Sequence, residues 1–284
     1  MRPRRPYFAE FCISQKSTWR SRNVCTWRAF DHFANSPRIQ MNLKDKVGIH
    51  SRPEFEMRRS AFLCQGKEAL LKDGTREDAI LRADLGGAAR DQRYGLNIIC
   101  RPSEELRWAG VEIQEQMKRA EPDQYYYPEA DLHLTLLEIC HSCSREELSV
   151  IVEQFGNAIP LLFHSVDDIQ LDLPEVIFDS HACALAFLPC DNNLQCCRTA
   201  FVEILEESGI SLRSRYLPNS AHVTLMRYVA PLRSSRWDWV NILSNLTFNR
   251  NLVWNISEAW VTWGTNWYGM RSRISESGPF VLRA

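Results

Sequence analysis

Two stretches of this sequence carry the same pattern. "HLTLLEI" begins at His133 and "HVTLMRY" begins at His222, 89 positions later. Each sets a His and a Thr two residues apart inside an apolar run. In a β-strand, residues i and i+2 lie on one face and the residues between them on the other. His133 and Thr135 therefore share a face, as do His222 and Thr224. Leu134, Leu136, Val223 and Leu225 fall on the opposite face, where they can pack into a core. The flanks match as well: Tyr126-Tyr127-Pro128 precedes the first motif and Tyr216-Leu217-Pro218 the second. The chain reads as a degenerate internal repeat. Any fold it adopts has to place a polar pair on one side of an otherwise buried strand, twice.

Chance is a poor account of the repeat. Seven His and nine Thr in 284 residues give roughly 0.2 expected His-x-Thr triplets, so two arise by accident in roughly 2% of such chains. A Leu after each Thr and the shared Tyr-x-Pro lower that further. One such histidine alone is better read as a satisfied group at a strand edge, but a matched pair is not. An imidazole gains or loses a proton near neutral pH. Two imidazoles on opposite sides of one phosphorus can act as general base and general acid in one in-line displacement. Thr hydroxyls can donate to the non-bridging oxygens and stabilise the charge of the transition state. This chemistry needs no cofactor and no metal.

The paired motifs resemble those of the two-histidine phosphoesterase superfamily, which includes the 2′-5′ RNA ligases and the RNA cyclic phosphodiesterases. The resemblance covers about residues 86–284, in motif separation and in the order of strands and helices. It is more specific for the superfamily than for any member. It implies an α+β fold of two lobes with pseudo-twofold symmetry: two mainly antiparallel sheets facing a central groove, with helices outside. By motif match it implies His133 and His222 as catalytic residues and Thr135 and Thr224 as phosphate-binding residues. The expected function is that of a metal-independent phosphodiesterase acting on a small nucleotide or an RNA end, opening a 2′,3′-cyclic phosphate. By analogy His222 is the base and His133 the acid. Two alternatives share the same residues: an RNA- or nucleotide-binding module without turnover, and 2′-5′ RNA ligation. Superfamily members tend to carry Arg or Tyr near the groove, which makes Tyr127 and Arg227 candidate substrate contacts. Arg227 lies five residues after His222, so a regular strand would turn it away from the groove.

The rest of the chain supports a mixed architecture without strict βα alternation, hence largely antiparallel sheet. "YGLNIIC" (94–100) reads as a strand, and Ser103 starts a helix running towards Arg119. Ser144 and Glu147 form a capping-box signature for a helix over 144–157. "DDIQLDL" and "ACALAFL" alternate as strands. "NNLQCCRTAFVEILEESG" is a helix ended by Gly209. A helix at 235–246 and strands at 252–264 and about 269–283 complete the pattern. Residues 1–30 hold seven Lys/Arg against one acid, Glu10. Residues 65–85 offer one helical candidate interrupted by Gly74. Residues 1–85 are therefore expected to be a basic, poorly ordered extension, dispensable to a domain over 86–284.

Bulk properties narrow the partners. The formal net charge of −1 gives no global field for nucleic acid or membrane. The longest apolar stretch, near "ACALAFLPC", is too short to span a bilayer. Ten cysteines at unpatterned spacings in a chain of this length read as reduced thiols of a cytoplasmic protein; the expected state is a monomer. Cys140, His141 and Cys143 have no second ligand pair to complete a zinc site. Base stacking could use Tyr125, Tyr126 and Tyr127, or Trp260, Trp263 and Trp267. Core packing is the commoner role for any one of these rings.

Overall fold

The computed structural model describes residues 51–282 apart from 165, 215–219 and 266–273. In chain order the elements are α1 (Arg52–Asp73), α2 (Ala79–Leu85), β1 (Tyr94–Cys100), α3 (Glu104–Lys118), β2 (Tyr125–Tyr126), β3 (Leu134–Cys143), α4 (Arg145–Phe163), β4 (Ile169–Phe178), β5 (Ala182–Pro189), α5 (Asn193–Glu207), β6 (Ala221–Arg227), α6 (Arg236–Ser244), β7 (Trp254–Ile256), β8 (Glu258–Gly264) and β9 (Ile274–Val281). A short 3₁₀ turn, Glu129–Asp131, leads into the first motif. The capping box at the start of α4 forms: the Glu147 amide donates to Ser144 Oγ at 3.1 Å, and the Ser144 amide to the Glu147 carboxylate at 2.8 Å. The helix runs six residues beyond Asn157, because Ile159, Leu162 and Phe163 continue its buried face.

The strands pair antiparallel in the order β7-β4-β5-β6-β3-β1-β8-β9, with β2 added to β6. The two sheets expected from the sequence are two four-stranded halves of one sheet. They join at the centre of the order, where the register between β3 and β6 consists of the pair Leu134 and Val223. Strand residues such as Ile98, Leu134, Leu137, Leu185, Val223 and Leu225 enter one continuous core with Ile113, Phe155, Phe201 and Trp239 of helices α3 to α6. Ile177, Ala184 and Ala186 form a separate small apolar cluster. Ala184 pairs with Ile177 and with Thr224, and Ala186 pairs with His222. The pleat therefore places this cluster on the face that carries the second motif.

The N-terminal boundary differs from the sequence expectation. Residues 1–50 lie outside the described residues, but 52–85 form α1 and α2, which pack into the domain. Phe55, Leu70 and Leu81 are buried in the main core. Gly66 of α1 approaches β4 so closely that a Cβ there would clash with the carbonyl oxygen of Phe178. Arg52 pairs with Asp172 at 2.8 Å, and Arg59 with Glu175 at 2.9 Å. A boundary at Gly86 cuts through this packing.

Candidate active site at the strand seam

The pair Leu134–Val223 fixes how the two motifs meet. One step further along this antiparallel register, His133 stands opposite Thr224 and Thr135 opposite His222. Directly opposed residues of antiparallel strands project from the same face. The four motif side chains therefore make a two-by-two patch, with the histidines on one diagonal and the threonines on the other. All four are half-buried, whereas Leu134, Leu136, Val223 and Leu225 are fully buried on the core side.

The repeat extends to the backbone. In β6, Thr224 pairs with Ala184 and Met226 with Cys183, which leaves Leu225 as an extra residue. In β3, Thr135 pairs with Ile99 and Leu137 with Ile98, which leaves Leu136 extra in the same way. Each is a β-bulge immediately after the motif Thr, and a bulge re-aims the side chains that follow it. Leu225 and Met226 are consecutive buried residues, so the alternation inverts and Arg227 emerges half-buried on the motif face. This corrects the expectation that Arg227 points away, because that expectation assumed an unbroken strand. Glu138 holds the equivalent position, five residues after His133, and is only 8% exposed. It pairs with Asn97, which pairs in turn with Thr262. The sequence reading passed over Glu138, although the repeat spacing that singles out Arg227 also singles it out.

Arg227 Nε donates to the Tyr127 hydroxyl at 3.2 Å. Tyr127 is only 4% exposed and belongs to the main core. The ring expected at the groove entrance instead supports Arg227, with Tyr125 against it edge-on at 5.2 Å. Trp260 is half-buried beneath the Arg101 guanidinium, 5.7 Å from its ring centre, and Arg101 pairs with Glu276. Trp263 is half-buried beside the core, and Trp267 lies outside the described residues.

The two imidazoles have different supports. His133 Nδ1 lies 2.7 Å from the Asp131 carbonyl oxygen. A carbonyl only accepts, so Nδ1 carries a proton and Nε2 is left for chemistry. His222 Nδ1 lies 2.9 Å from Ser220 Oγ, a partner that can donate or accept. Burial lowers the pKa of His133; the Asp131 carbonyl opposes that shift and the Arg101 charge adds to it. Burial likewise lowers His222, to about 4, helped by the positive charges of Arg198, His133 and Arg227 and opposed by Asp179. His222 is thus the histidine more strongly held neutral.

At the far end of β3, Cys140 and Cys143 form a disulfide, which departs from the reading of all cysteines as free thiols. Ser142 between them has φ 54°, and this left-handed turn brings the two cysteines together. The other described cysteines, including the buried Cys100, Cys183 and Cys197, are free. Among the described residues no three His, Cys, Asp or Glu side chains are grouped to hold a metal ion. No described helix is long and apolar enough to cross a membrane.

The architecture is α+β, one antiparallel sheet made of two halves with helices packed against it. Among solved structures, the chain is similar to TT0787 of Thermus thermophilus, with 18% identity over 66% of this chain and 98% of that one and a TM-score of 0.46. It is similar to E. coli LigT in its apo form, with 14% identity over 68% and 99% of the two chains and a TM-score of 0.45. It is also similar to ATU0111, a conserved protein of unknown function from Agrobacterium tumefaciens, with 12% identity over 66% and 86% and a TM-score of 0.50. At these identities the likeness is one of fold. No protein-family model matches the sequence, and no curated protein does.

Proposed function

We propose that the protein is a metal-independent phosphodiesterase that opens a 2′,3′-cyclic phosphate on a small nucleotide or an RNA end. The observation that carries this reading is the motif patch, in which two imidazoles with different supports sit diagonally across a site with Thr at its other corners. His222, the more strongly neutral, removes a proton from water as the water oxygen bonds to phosphorus. His133, its imidazolium stabilised by the Asp131 carbonyl, gives a proton from Nε2 to the departing ribose oxygen as its bond to phosphorus breaks. The product is a phosphomonoester beside the freed ribose hydroxyl, and the imidazoles exchange protonation states until solvent resets them. Thr135 and Thr224 donate to the non-bridging oxygens, whose charge grows in the transition state. Arg227, held by Tyr127, adds a fixed positive charge on the same face.

The test is turnover of 2′,3′-cyclic nucleotides and of an oligonucleotide ending in a 2′,3′-cyclic phosphate. His133→Ala and His222→Ala should each lower kcat by about 10²–10⁴, the usual contribution of one general acid or base. Binding of substrate, measured by calorimetry, should change far less. Wild-type rates in either variant would overturn the assignment, and binding without product in the wild type would favour a non-catalytic module.

A further inference from the structure

Arg198 is a buried cation that the two-histidine mechanism does not use. It projects from α5 and is 0% exposed. Its Nε donates to the Leu136 carbonyl at 3.0 Å, and its Nη2 to the carbonyls of Thr135 at 3.3 Å and Ser220 at 2.9 Å. Thr135 and Leu136 belong to the first motif strand, and Ser220 directly precedes the second. β3 and β6 meet at Leu134 and Val223, and beyond that pair the guanidinium bonds to both chains. Ser220 also supports the His222 ring through its hydroxyl. One side chain therefore holds the backbone of Thr135 and the residue that orients His222.

We propose that Arg198 is a positioning residue that clamps the two motif strands together and so sets the spacing and orientation of the two histidines around one phosphorus. Its planar fork suits this task, since rigidly spaced donors can bond several carbonyls at once, which the point charge of a lysine cannot do. The clamp has an electrostatic consequence. The groups acting on His222 are Arg198 from α5, His133 ahead of β3, Arg227 on β6 and Asp179 in the β4–β5 turn. Among the charges, Arg198 is the strongest opponent of protonation. The kinetic part of this proposal rests on the phosphodiesterase reading, whereas the titration part does not.

The experiment follows His222 by NMR across pH 3.5–8 in the wild type, Arg198→Met and Arg198→Lys, with kcat and KM for a 2′,3′-cyclic nucleotide measured alongside. Loss of the charge in Arg198→Met should raise the His222 midpoint by about one pH unit, the ordinary effect of a neighbouring charge. Arg198→Lys should hold the midpoint within about 0.3 units. It should still lower kcat at least tenfold with KM changed less than threefold, because the charge remains and the fork is lost. A folded Arg198→Met with an unmoved His222 midpoint would overturn the proposal. Should that variant not fold, Arg198→Lys decides, and a wild-type kcat there overturns the clamp. An inactive wild type would sink the phosphodiesterase reading and leave the His222 titration to judge Arg198.

Discussion

The proposed roles of the two histidines predict a pH dependence of turnover from how each ring is held. A base must be neutral and an acid protonated. His222 is pushed down to about 4 and is neutral above that value. His133 is also lowered from its ordinary 6.5, so it keeps its proton only below some value under 6.5. The competent window therefore opens near 4 and closes before 6.5. Because kcat/KM reports the free enzyme, it should form an acidic bell for a 2′,3′-cyclic nucleotide. Each pH unit beyond the alkaline limb costs about tenfold, so at pH 8.5 kcat/KM should lie at least about 100-fold below its maximum. The limbs belong to the coupled pair, and variants assign them. His133→Gln should abolish the alkaline limb and His222→Gln the acid limb. Arg227→Met removes one charge that opposes His222 protonation and should move the acid limb upward by up to about one unit. A profile flat from pH 5 to 9 in a chemistry-limited assay, or an alkaline limb above pH 7, would refute the reasoning.

The same shifts bear on stability. A histidine with a lowered folded pKa binds protons more readily in the unfolded chain, so its contribution is present above pH 6.5 and lost as pH falls towards about 4. Thermal melts across that window should drop less steeply for His222→Gln than for the wild type; equal slopes would contradict this. EDTA should leave turnover unchanged, and activity lost on chelation and restored by zinc or manganese would exclude a mechanism carried by the histidines alone. Thr135→Val and Thr224→Val should lower kcat less than either histidine variant, since each removes one hydrogen bond to phosphate. Deleting residues 1–50 should leave melting temperature and activity near wild type, while deleting 1–80 removes the buried Phe55 and Leu70. Losing such core side chains costs about 2–5 kcal/mol each, against a total stability of about 5–15 kcal/mol, so a soluble, fully stable 81–284 fragment would refute the packing role of α1.

The motif patch was legible because a strand has a period of two and the repeat marks the same spacing twice. The orientation of Arg227 was not, because the bulge that turns it exists only in the pairing of β6 with β5. Arg198 was hidden for a similar reason. In sequence it is one basic residue in a helix, and its meaning comes from carbonyls of Thr135, Leu136 and Ser220. Helix α1 did leave a sign: Ser51, Pro53 and Glu54 form a helix-start pattern, and the Ser51 amide donates to Glu54 at 2.6 Å. The basic, unpatterned stretch ahead of it drew the boundary too far along the chain. Cys140 and Cys143 meet through a left-handed Ser142, a conformation that spacing alone does not announce.

The departures from symmetry matter as much as the repeat. An in-line displacement has two inequivalent ends, one gaining a bond to oxygen and the other losing one. A fold that presents two equivalent histidines must make them unequal. The bulges provide one equivalent position after each motif, and the chain fills these with opposite charges, Glu138 and Arg227. The supports differ too: a carbonyl fixes the proton on His133, whereas His222 has a hydroxyl partner and three positive neighbours that oppose its charging. These differences lie in side chains and in the 3₁₀ turn that leads into His133, while the bulge after each motif Thr is alike. The proposed roles of acid and base are thus set by local departures from a duplicated frame. Arg227→Met, which removes one of the charges opposing protonation of His222, should therefore narrow the difference between the two histidines, read as an upward shift of the His222 midpoint by NMR titration.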